Sequence, residues 1–541
     1  MPFYNTRETL VPEMLSAMTQ TLALEELETS EGTTVLVGAA SERDPSRVAV
    51  ISGGGSGHEP AHAGYIGEGM LDAAIPGAIF SSPSVTSVLE AIRHVSGPAG
   101  CLLVIKNYTG DRLSFGLAAE RARQEGYDVE TVLVADDVAL PGFEQPRGLA
   151  GTVLVHKVAG AAASRGKGLT EVAEAARHAA GSIRTIGLAL GPVQLPGDAP
   201  DLERGTELGM GIHNEPGAKT ISIDTAADAV ARVVESLELD AEPQAMVIML
   251  NDLGGCSVQE GLVLTHELIR QIGPTRIARF IGPVRAMTSL GMHGFSVTAM
   301  TADDALLAAL ASPTTAPAWM APKQVKESPR RTEIRNNEQQ DTPMGSSSGN
   351  HIEERVRQGC LTLIDLKAVL DDLDRSTGDG DAGTTFRAGA EAVLAELDAG
   401  TLGFADPAAG MNRVATILET RMGGSSGVLL AILTTTMSEV LSRDANWADA
   451  LGAGLNAMMH HGGAEEGHST MVDALAPASR ALYAGGSLVE AARDAESGAR
   501  GTAELVARAG RAAYVPDAAS SVVEDPGAKA VAAFLTAISR N

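Results

Sequence analysis

The chain has 541 residues, 44% hydrophobic but only 3% aromatic, and a formal net charge of −27. That length exceeds one core and predicts about three to four folding units, with cores built from Ala, Val, Leu and Ile. The acidic balance argues against nucleic acid or an anionic membrane as partner, and it demands a cation wherever a phosphate binds. Cys101, Cys256 and Cys360 are dispersed and odd in number, which predicts reduced thiols and a cytoplasmic protein rather than a disulfide framework or zinc site. The first fifteen residues lack the pattern of a signal peptide, and no apolar run approaches the roughly 20 residues of a membrane span. A soluble protein is expected.

In chain order, Leu10 to Leu24 carries apolar residues at helical spacing. Arg47 to Ile51 reads as a short buried strand running into Ser52 to Pro60 (SGGGSGHEP), an open Gly-rich loop with a helix after it. That is where α/β sheets place ligands. A second strand, Cys101 to Ile105, leads into Lys106 to Asp111 (KNYTGD) and a helix from about Leu113 to Glu125. Val129 to Val134 is a strand reaching Asp136 and Asp137, and 148–163 is a long buried helix. This alternation predicts a wound α/β domain. A second α/β unit begins near Ser182, with strands at 184–190 and 245–250, a Gly-containing loop at 207–217 and a helix at 224–237. Ser312 to Asn350 is rich in Pro, Ser, Asn, Gln and charge, as in a mobile linker. Beyond it, Ala- and Leu-rich helical segments broken by glycines predict an all-α domain. The expected organisation is an α/β domain at 1–315 (subdomains about 1–181 and 182–315), a linker at 316–350 and a helical domain at 351–541.

Several stretches carry candidate chemistry. The loop at Gly53 to His58 lacks the Gly-Lys-[Ser/Thr] of a P-loop, and His58 breaks the dinucleotide-binding GxGxxG spacing. What remains is His58, Glu59 and His62 after a strand. Lys106 and Asp111 follow the next strand and can converge with His58 on one sheet edge to bind hydroxyls and shuttle a proton, although an ordinary ion pair has the same spacing. His213, set among glycines in GMGIHNEPG, is a candidate nucleophile toward a carbonyl, or else a structural loop histidine. In the helical half, Asp374, Asp379 and Asp381 crowd into eight residues among Gly378, Gly380 and Gly383. Carboxylates this close repel one another unless a cation intervenes, and Mg²⁺ takes oxygen ligands. The following Gly383-Thr384-Thr385 can offer N–H groups and hydroxyls to a phosphate at a helix start. The competing reading is a solvated turn; an EF-hand calcium loop does not fit the spacing. Gly-rich turns at 422–427, 462–471 and 525–527 are further candidate phosphate cradles.

Taken together, GGGSGHEPAHAGYIG at 53–67, KNYTGD at 106–111, RGLAGTVLVHKVAGAAA at 147–163, GMGIHNEPG at 209–217, LDRSTGDGDAGTTF at 373–386, RMGGSSG at 421–427, STMVDALAPA at 469–478 and DPGA at 525–528 resemble the ATP-dependent dihydroxyacetone kinases. In that family a substrate-binding α/β K domain is fused to a nucleotide-binding L domain, an eight-helix barrel. The resemblance implies that His213 holds the ketone as a covalent hemiaminal. It assigns the substrate hydroxyls to Gly55, Ser56, Gly57, His58, Lys106 and Asp111, with His58 and Asp111 assisting proton transfer. Asp374, Asp379 and Asp381 would hold two Mg²⁺ ions on the phosphates of ATP. Nucleotide contacts would come from Ala382, Gly383, Thr384, Thr385, Ser425, Ser426, Gly462, Thr470, Met471, Arg511, Asp525, Pro526 and Gly527. A homodimer is implied as well.

The chain departs from the family in two places. Many relatives read Gly-Asp-[Lys/Arg]-Thr-Met where this chain has Gly467-His-Ser-Thr-Met471, and the usual Gly and Arg are missing from Val515 to Ala519. The acceptor is expected to be dihydroxyacetone or a four-carbon ketose such as erythrulose; some animal relatives also cyclise FAD. The alternative of another class is a regulator that senses a ketose without phosphorylating it, against which the retained Asp cluster speaks.

Overall fold

The computed structural model describes residues 3–28, 34–38, 44–193, 205–239, 245–328, 351–375, 379–444, 446–509 and 523–540. The chain divides into two compact units, Met1–Thr332 and Glu333–Asn541.

In the first unit α1 (Leu10–Thr21) precedes a sheet formed by β1 (Leu24–Glu28), β2 (Thr34–Gly38), β3 (Ala49–Ser56), β4 (Ala73–Ile79), β5 (Cys101–Lys106) and β6 (Val129–Val134). Helices α2 (Val85–Val95) and α3 (Thr109–Gln124) connect the later strands, and α4 (Thr152–Ser164) and α5 (Leu169–Gly181) follow. The order is β1-β2-β4-β3-β5-β6, with β3 parallel to β4 on one side and to β5 on the other. The chain thus reverses its direction of winding between β3 and β5. Strand ends at such a switch point form a crevice that binds ligands.

The sequence predicts an open loop at Gly53 to His58 followed by a helix. Instead the glycines as far as Ser56 belong to β3, and only a single 3₁₀ turn, Ala63–Tyr65, separates them from β4. The reason is close approach: a Cβ on Gly53 would sit 2.5 Å from the Ile75 carbonyl oxygen, and one on Gly55 2.6 Å from the Ser81 nitrogen. Glycine here lets backbones touch.

The second sheet contains β7 (Ile183–Ala189), β8 (Glu207–Leu208), β9 (Lys219–Thr220), β10 (Met246–Asp252), β11 (Ile277–Val284) and β12 (Gly294–Thr301), in the order β11-β10-β12-β7-β8-β9. Helices α6 (Ala226–Leu237), α7 (Val258–Ile272) and α8 (Asp304–Leu310) complete the unit. Asp136 ties the two sheets together, accepting from Leu149 N, Gly151 N and the Thr185 hydroxyl. Part of the expected linker is packed here as well. Ala318 N bonds Gly64 O, and Lys323 exchanges both backbone bonds with Phe280.

The second unit has nine α-helices among its described residues: α9 (His351–Asp365), α10 (Lys367–Arg375), α11 (Ala382–Asp398), α12 (Pro407–Ile417), α13 (Gly424–Leu441), α14 (Trp447–Gly462), α15 (Val472–Tyr483), α16 (Leu488–Gly501) and α17 (Pro526–Ser539). Only Leu366 separates α9 from α10, and its N–H still reaches Thr362 O, so the pair acts as one bent helix in an eight-helix barrel. From α11 onward each helix packs on the next, and α17 closes the ring against α9. Small side chains permit this closeness: Ala491, Ala495 and Ala528 are fully buried, and a Cβ on Gly498 would meet the Asp473 carbonyl oxygen at 1.9 Å. Helix α13 is long and apolar enough to cross a membrane by length and composition, but α12 and α14 both pack against it.

Helix α4 begins at Thr152 rather than at 148, and nearly all its residues are buried, polar ones included. Its His156 donates from Nε2 to Ser52 Oγ at 3.1 Å. Burial, reinforced by the charge of Lys106, pushes this imidazole down to about 3. A histidine whose folded pKa lies below its unfolded value of about 6.5 gives full stability above that value and loses it as the pH falls toward 3. The wild-type unfolding free energy should therefore drop between pH 6.5 and 4.5 more steeply than that of His156→Gln, by up to about 1.4 kcal/mol per pH unit. Denaturant titrations of both proteins across that range measure the difference.

Candidate active site

The first candidate cluster is built where the two sheets of the first unit meet. Strands β3 and β5 are paired from Ala49–Cys101 to Ser52–Val104, so the residues following each emerge side by side. The β11–β12 connection clips the segment after β3: Thr288 N bonds His58 O and Leu290 N bonds Gly57 O. His58 Nδ1 lies 3.0 Å from Thr288 O. A carbonyl only accepts, so Nδ1 carries the proton and Nε2 keeps its lone pair. That Nε2 is buried without a hydrogen-bond partner among the described residues. Burial, with Lys106 and His213 nearby, holds His58 well below the usual imidazole range. It is a neutral base facing an unfilled hydrogen bond.

His213 arrives from the other sheet, in the connection between β8 and β9. The Ser289 hydroxyl bonds Ile212 O, and Asn214 accepts from Val193 N. The His213 ring meets His58 edge-on with centroids 4.8 Å apart, Tyr108 at 4.3 Å and Phe80 at 5.7 Å. Its Nδ1 lies 3.5 Å from Glu215 Oε1, and its backbone N–H donates to Glu215 Oε2 at 2.9 Å. Burial alone would raise the Glu215 carboxyl, but the hydrogen bonds and charge of His213 outweigh it and pull the group to about 2. A carboxylate at Nδ1 favours the tautomer with Nε2 free, the nucleophilic nitrogen.

Lys106 and Asp111 are both buried, with Lys106 Nζ 3.7 Å from Asp111 Oδ2; Asp111 also accepts the Ser82 hydroxyl. Burial lowers the Lys106 ammonium while Asp111 supports it. Gly54 lies directly beneath, since a Cβ there would fall 2.2 Å from Nζ. The remaining expected substrate contacts have structural duties. Gly55 packs on the Phe80–Ser81 backbone and Gly57 on the Phe80 ring, while Ser56 gives its hydroxyl proton to Gly77 O. They shape the wall around His58.

In the helical unit, ligand oxygens of Asp374, Asp379 and Asp381 lie within 4.8 Å of one another. This hard, anionic donor set fits Mg²⁺. The geometry is local. Asp374, on the last turn of α10, accepts backbone N–H groups from Asp381 and Ala382 at 2.9 and 3.1 Å, pinning the start of α11. Asp371, one turn earlier, accepts Thr384 N at 2.9 Å and the Lys367 ammonium at 2.7 Å. Gly383 is buried against α10, where a Cβ would meet Lys367 O at 2.0 Å. Ala382, Thr384 and Thr385 occupy the first turn of α11, and Ser425 and Ser426 the first turn of α13. The first-turn N–H groups of α11 are already taken, those of Ala382 and Thr384 by Asp374 and Asp371 and that of Thr385 by Asp381 O, so the start of α13 is the one suited to phosphate oxygens.

Short connections from α11 to α16 make successive packed helices alternate up and down, and Asp525 N bonding Thr502 Oγ1 returns the start of α17 to the end of α16, so the starts of α11, α13, α15 and α17 share one rim. Gly462 ends α14 at the same rim. The turn after it folds over Asp473, which accepts Gly467 N and Thr470 N. Asp525 caps α17 through Ala528 N. Burial, then the charges of Asp473 and Asp374, push Asp525 up to about 7 against its hydrogen bonds. Met471 lies beside Gly527, and Pro526 is buried in the same turn. Arg511 and the divergent Val515 to Ala519 lie outside the described residues.

Sequence reasoning missed Glu215, Tyr108, Phe80, Asp371 and Asp473. Glu215 had a signal, two residues after His213 in HNEPG. Tyr108 and Asp473 likewise stand inside KNYTGD and STMVDALAPA and Asp371 one turn before Asp374; Phe80 joins the site only through folding.

Comparison with known proteins bears on both units. The Dak1 domain family matches residues 19–318 and the DAK2 domain family 376–540. The chain is 42% identical over 504 residues to the dihydroxyacetone kinase of Citrobacter freundii, covering 92% of this chain and 91% of that protein. It is 40% identical over 526 residues to the human triokinase/FMN cyclase, covering 91% of each. The crystal structure of the C. freundii dihydroxyacetone kinase in complex with AMP-PNP and Mg²⁺ superposes with a TM-score of 0.79 at 39% identity, covering 100% of this chain and 99% of that one. With both family domains present in order and this identity along almost its whole length, the chain belongs to the family of fused dihydroxyacetone kinases.

Proposed function

We propose that this protein transfers the γ-phosphoryl group of ATP to a hydroxyl of a short-chain ketose, either dihydroxyacetone or a four-carbon ketose such as erythrulose. The observation that carries the reading is the pair of imidazoles at 4.8 Å, one with a carboxylate at Nδ1 and the other with an unpartnered Nε2. The retained acidic triad favours a kinase over a ketose-sensing regulator. The same proposal includes two Mg²⁺ ions, a homodimer and a cytoplasmic location, the last in keeping with three free, buried cysteines.

His213 Nε2 attacks the ketone carbon, the C=O π pair moves to the oxygen, and that oxygen takes a proton from solvent to complete the hemiaminal, while Nδ1 keeps its own proton and the ring becomes cationic. Glu215 offsets the positive charge that develops on the ring. The anchor selects molecules with a carbonyl, rejects glycerol, and fixes the terminal hydroxyl for attack. Lys106 and Asp111 orient that hydroxyl, and His58 Nε2 takes its proton as the new O–P bond forms. General-base assistance of this kind contributes about 10²–10⁴-fold. On the nucleotide side, the Thr385 hydroxyl and the helix-start N–H groups of α13 hold phosphate oxygens, and Asp374, Asp379 and Asp381 would hold the metal. When bound, Mg²⁺ supplies charge neutralisation on the β- and γ-phosphates, the main requirement of phosphoryl transfer.

Purified protein with Mg–ATP and a panel of ketoses should release ADP only when a ketose of three or four carbons is present; no ketose-dependent release would sink the kinase reading. His213→Ala should lower kcat/KM for the ketose by about 10³-fold or more, as expected on losing a positioning covalent anchor, with Mg–ATP affinity unchanged by calorimetry. Asp379→Ala should abolish metal-dependent nucleotide binding, and wild-type calorimetric affinity would rule out the metal assignment.

A further inference from the structure

Behind Lys106 lies a chain of buried polar groups that the proposed chemistry does not use. Lys106 Nζ is 3.3 Å from His62 Nε2. His62 Nδ1 is 3.4 Å from Ser52 Oγ, and His156 Nε2 is 3.1 Å from the same oxygen. Ser52 Oγ is 2.7 Å from Val104 O. The His62 and His156 rings meet edge-on at 5.1 Å. Ser52, Lys106 and His156 have no exposed surface, and His62 is 6% exposed.

The two ends of the chain fix the direction of every bond. An ammonium only donates, so His62 Nε2 must be the bare nitrogen and Nδ1 must carry the proton. At the other end, a backbone carbonyl only accepts, so the single Ser52 proton goes to Val104 O. Ser52 Oγ is then left with lone pairs alone and takes N–H donors from both histidines. His156 must accordingly carry its proton on Nε2 and leave Nδ1 bare. That Nδ1 is the atom found buried without a partner among the described residues. Neutrality of both rings agrees with the strong downward pull of burial and of Lys106 on each. No proton can move along the chain without reversing a donor, so it orients and does not conduct.

We infer that His62 is a positioning residue for the phosphoryl acceptor: backed by Ser52 and His156, its Nε2 holds one N–H of Lys106 and so aims the ammonium at the substrate hydroxyl. The inference rests on the proposed substrate contact of Lys106. Of the ammonium's three donors, one is taken by His62 and one faces Asp111, leaving the third for the ligand. A lysine without the His62 contact keeps its charge and its Asp111 partner but loses its heading.

Kinetics of four variants test this. Lys106→Met should raise the ketose KM by about tenfold or more, the scale of a lost hydrogen bond to a charged group. His62→Phe, which keeps the ring and removes both nitrogens, should do the same and leave the KM for Mg–ATP unchanged. His62→Gln, which offers an acceptor and a donor, should recover most of the loss. The double variant Lys106→Met/His62→Phe should be no worse than Lys106→Met alone. An impaired Lys106→Met beside a His62→Phe of wild-type KM, or losses that simply multiply in the double variant, would overturn the inference. An unimpaired Lys106→Met would withdraw the substrate role of Lys106 and the inference with it. Neutron diffraction of the wild-type protein gives a check that needs no variant. Deuterium should sit on Nδ1 of His62 and Nε2 of His156, and the opposite tautomer at His62 would refute the argument.

Discussion

A lysine ammonium with no exposed surface must be compensated within a few ångströms, and Lys106 imposes that demand on everything around it. Asp111 answers the charge, His62 answers one donor, and Gly54 makes room by having no side chain. Removing one partner of a buried ion pair costs about 3–5 kcal/mol, because the other is left uncompensated. That is a large fraction of a domain's stability. The candidate site and the core of the first unit are therefore not separable: strand β3 contributes Ser52 to the polar chain, Gly54 to the lysine and, just beyond its end, His58 to the site. The same positive charge helps keep His58 and His62 neutral, which suits one to act as a base and the other as an acceptor.

The helical unit solves the opposite problem, an excess of negative charge. Asp374 is neutralised in part by the two N–H groups at the start of α11, and Asp371 by Lys367 and Thr384. Asp525, buried beside Asp473 and Asp374, is pushed up to about 7. A rim of this kind is electrostatically unfinished without a cation, which fits the donor set of the acidic triad. With a net charge of −27 on the chain, an anionic phosphate at this rim requires a cation.

How much of this was legible depended on distance along the chain. The acidic segment could be read because it is local: a helix end and a helix start within eight residues return Asp374 to the backbone of Asp381 and Ala382. The convergence of Lys106, Asp111 and His58 could be expected from their places near strand ends, Lys106 closing β5, Asp111 in the first turn of α3 and His58 two residues past β3, though the pairing of β3 with β5 had to be seen. The glycine run misled. Glycine reports that a Cβ is not tolerated, without saying whether the space belongs to a ligand or to a neighbouring backbone, and Gly53 and Gly55 serve the backbone. Polarity likewise hid the packing of Ala318 and Lys323 within a stretch that reads as linker.

By itself the sequence determined the two-part architecture, the crowding of the three carboxylates and the candidacy of His58 and His213, because periodicity and short-range spacing encode elements and local turns. Only the tertiary structure decided the tautomers. Which nitrogen of His58, His62 or His156 carries a proton depends on whether a carbonyl, an ammonium or a hydroxyl from a distant strand faces it, and no spacing along the chain specifies that.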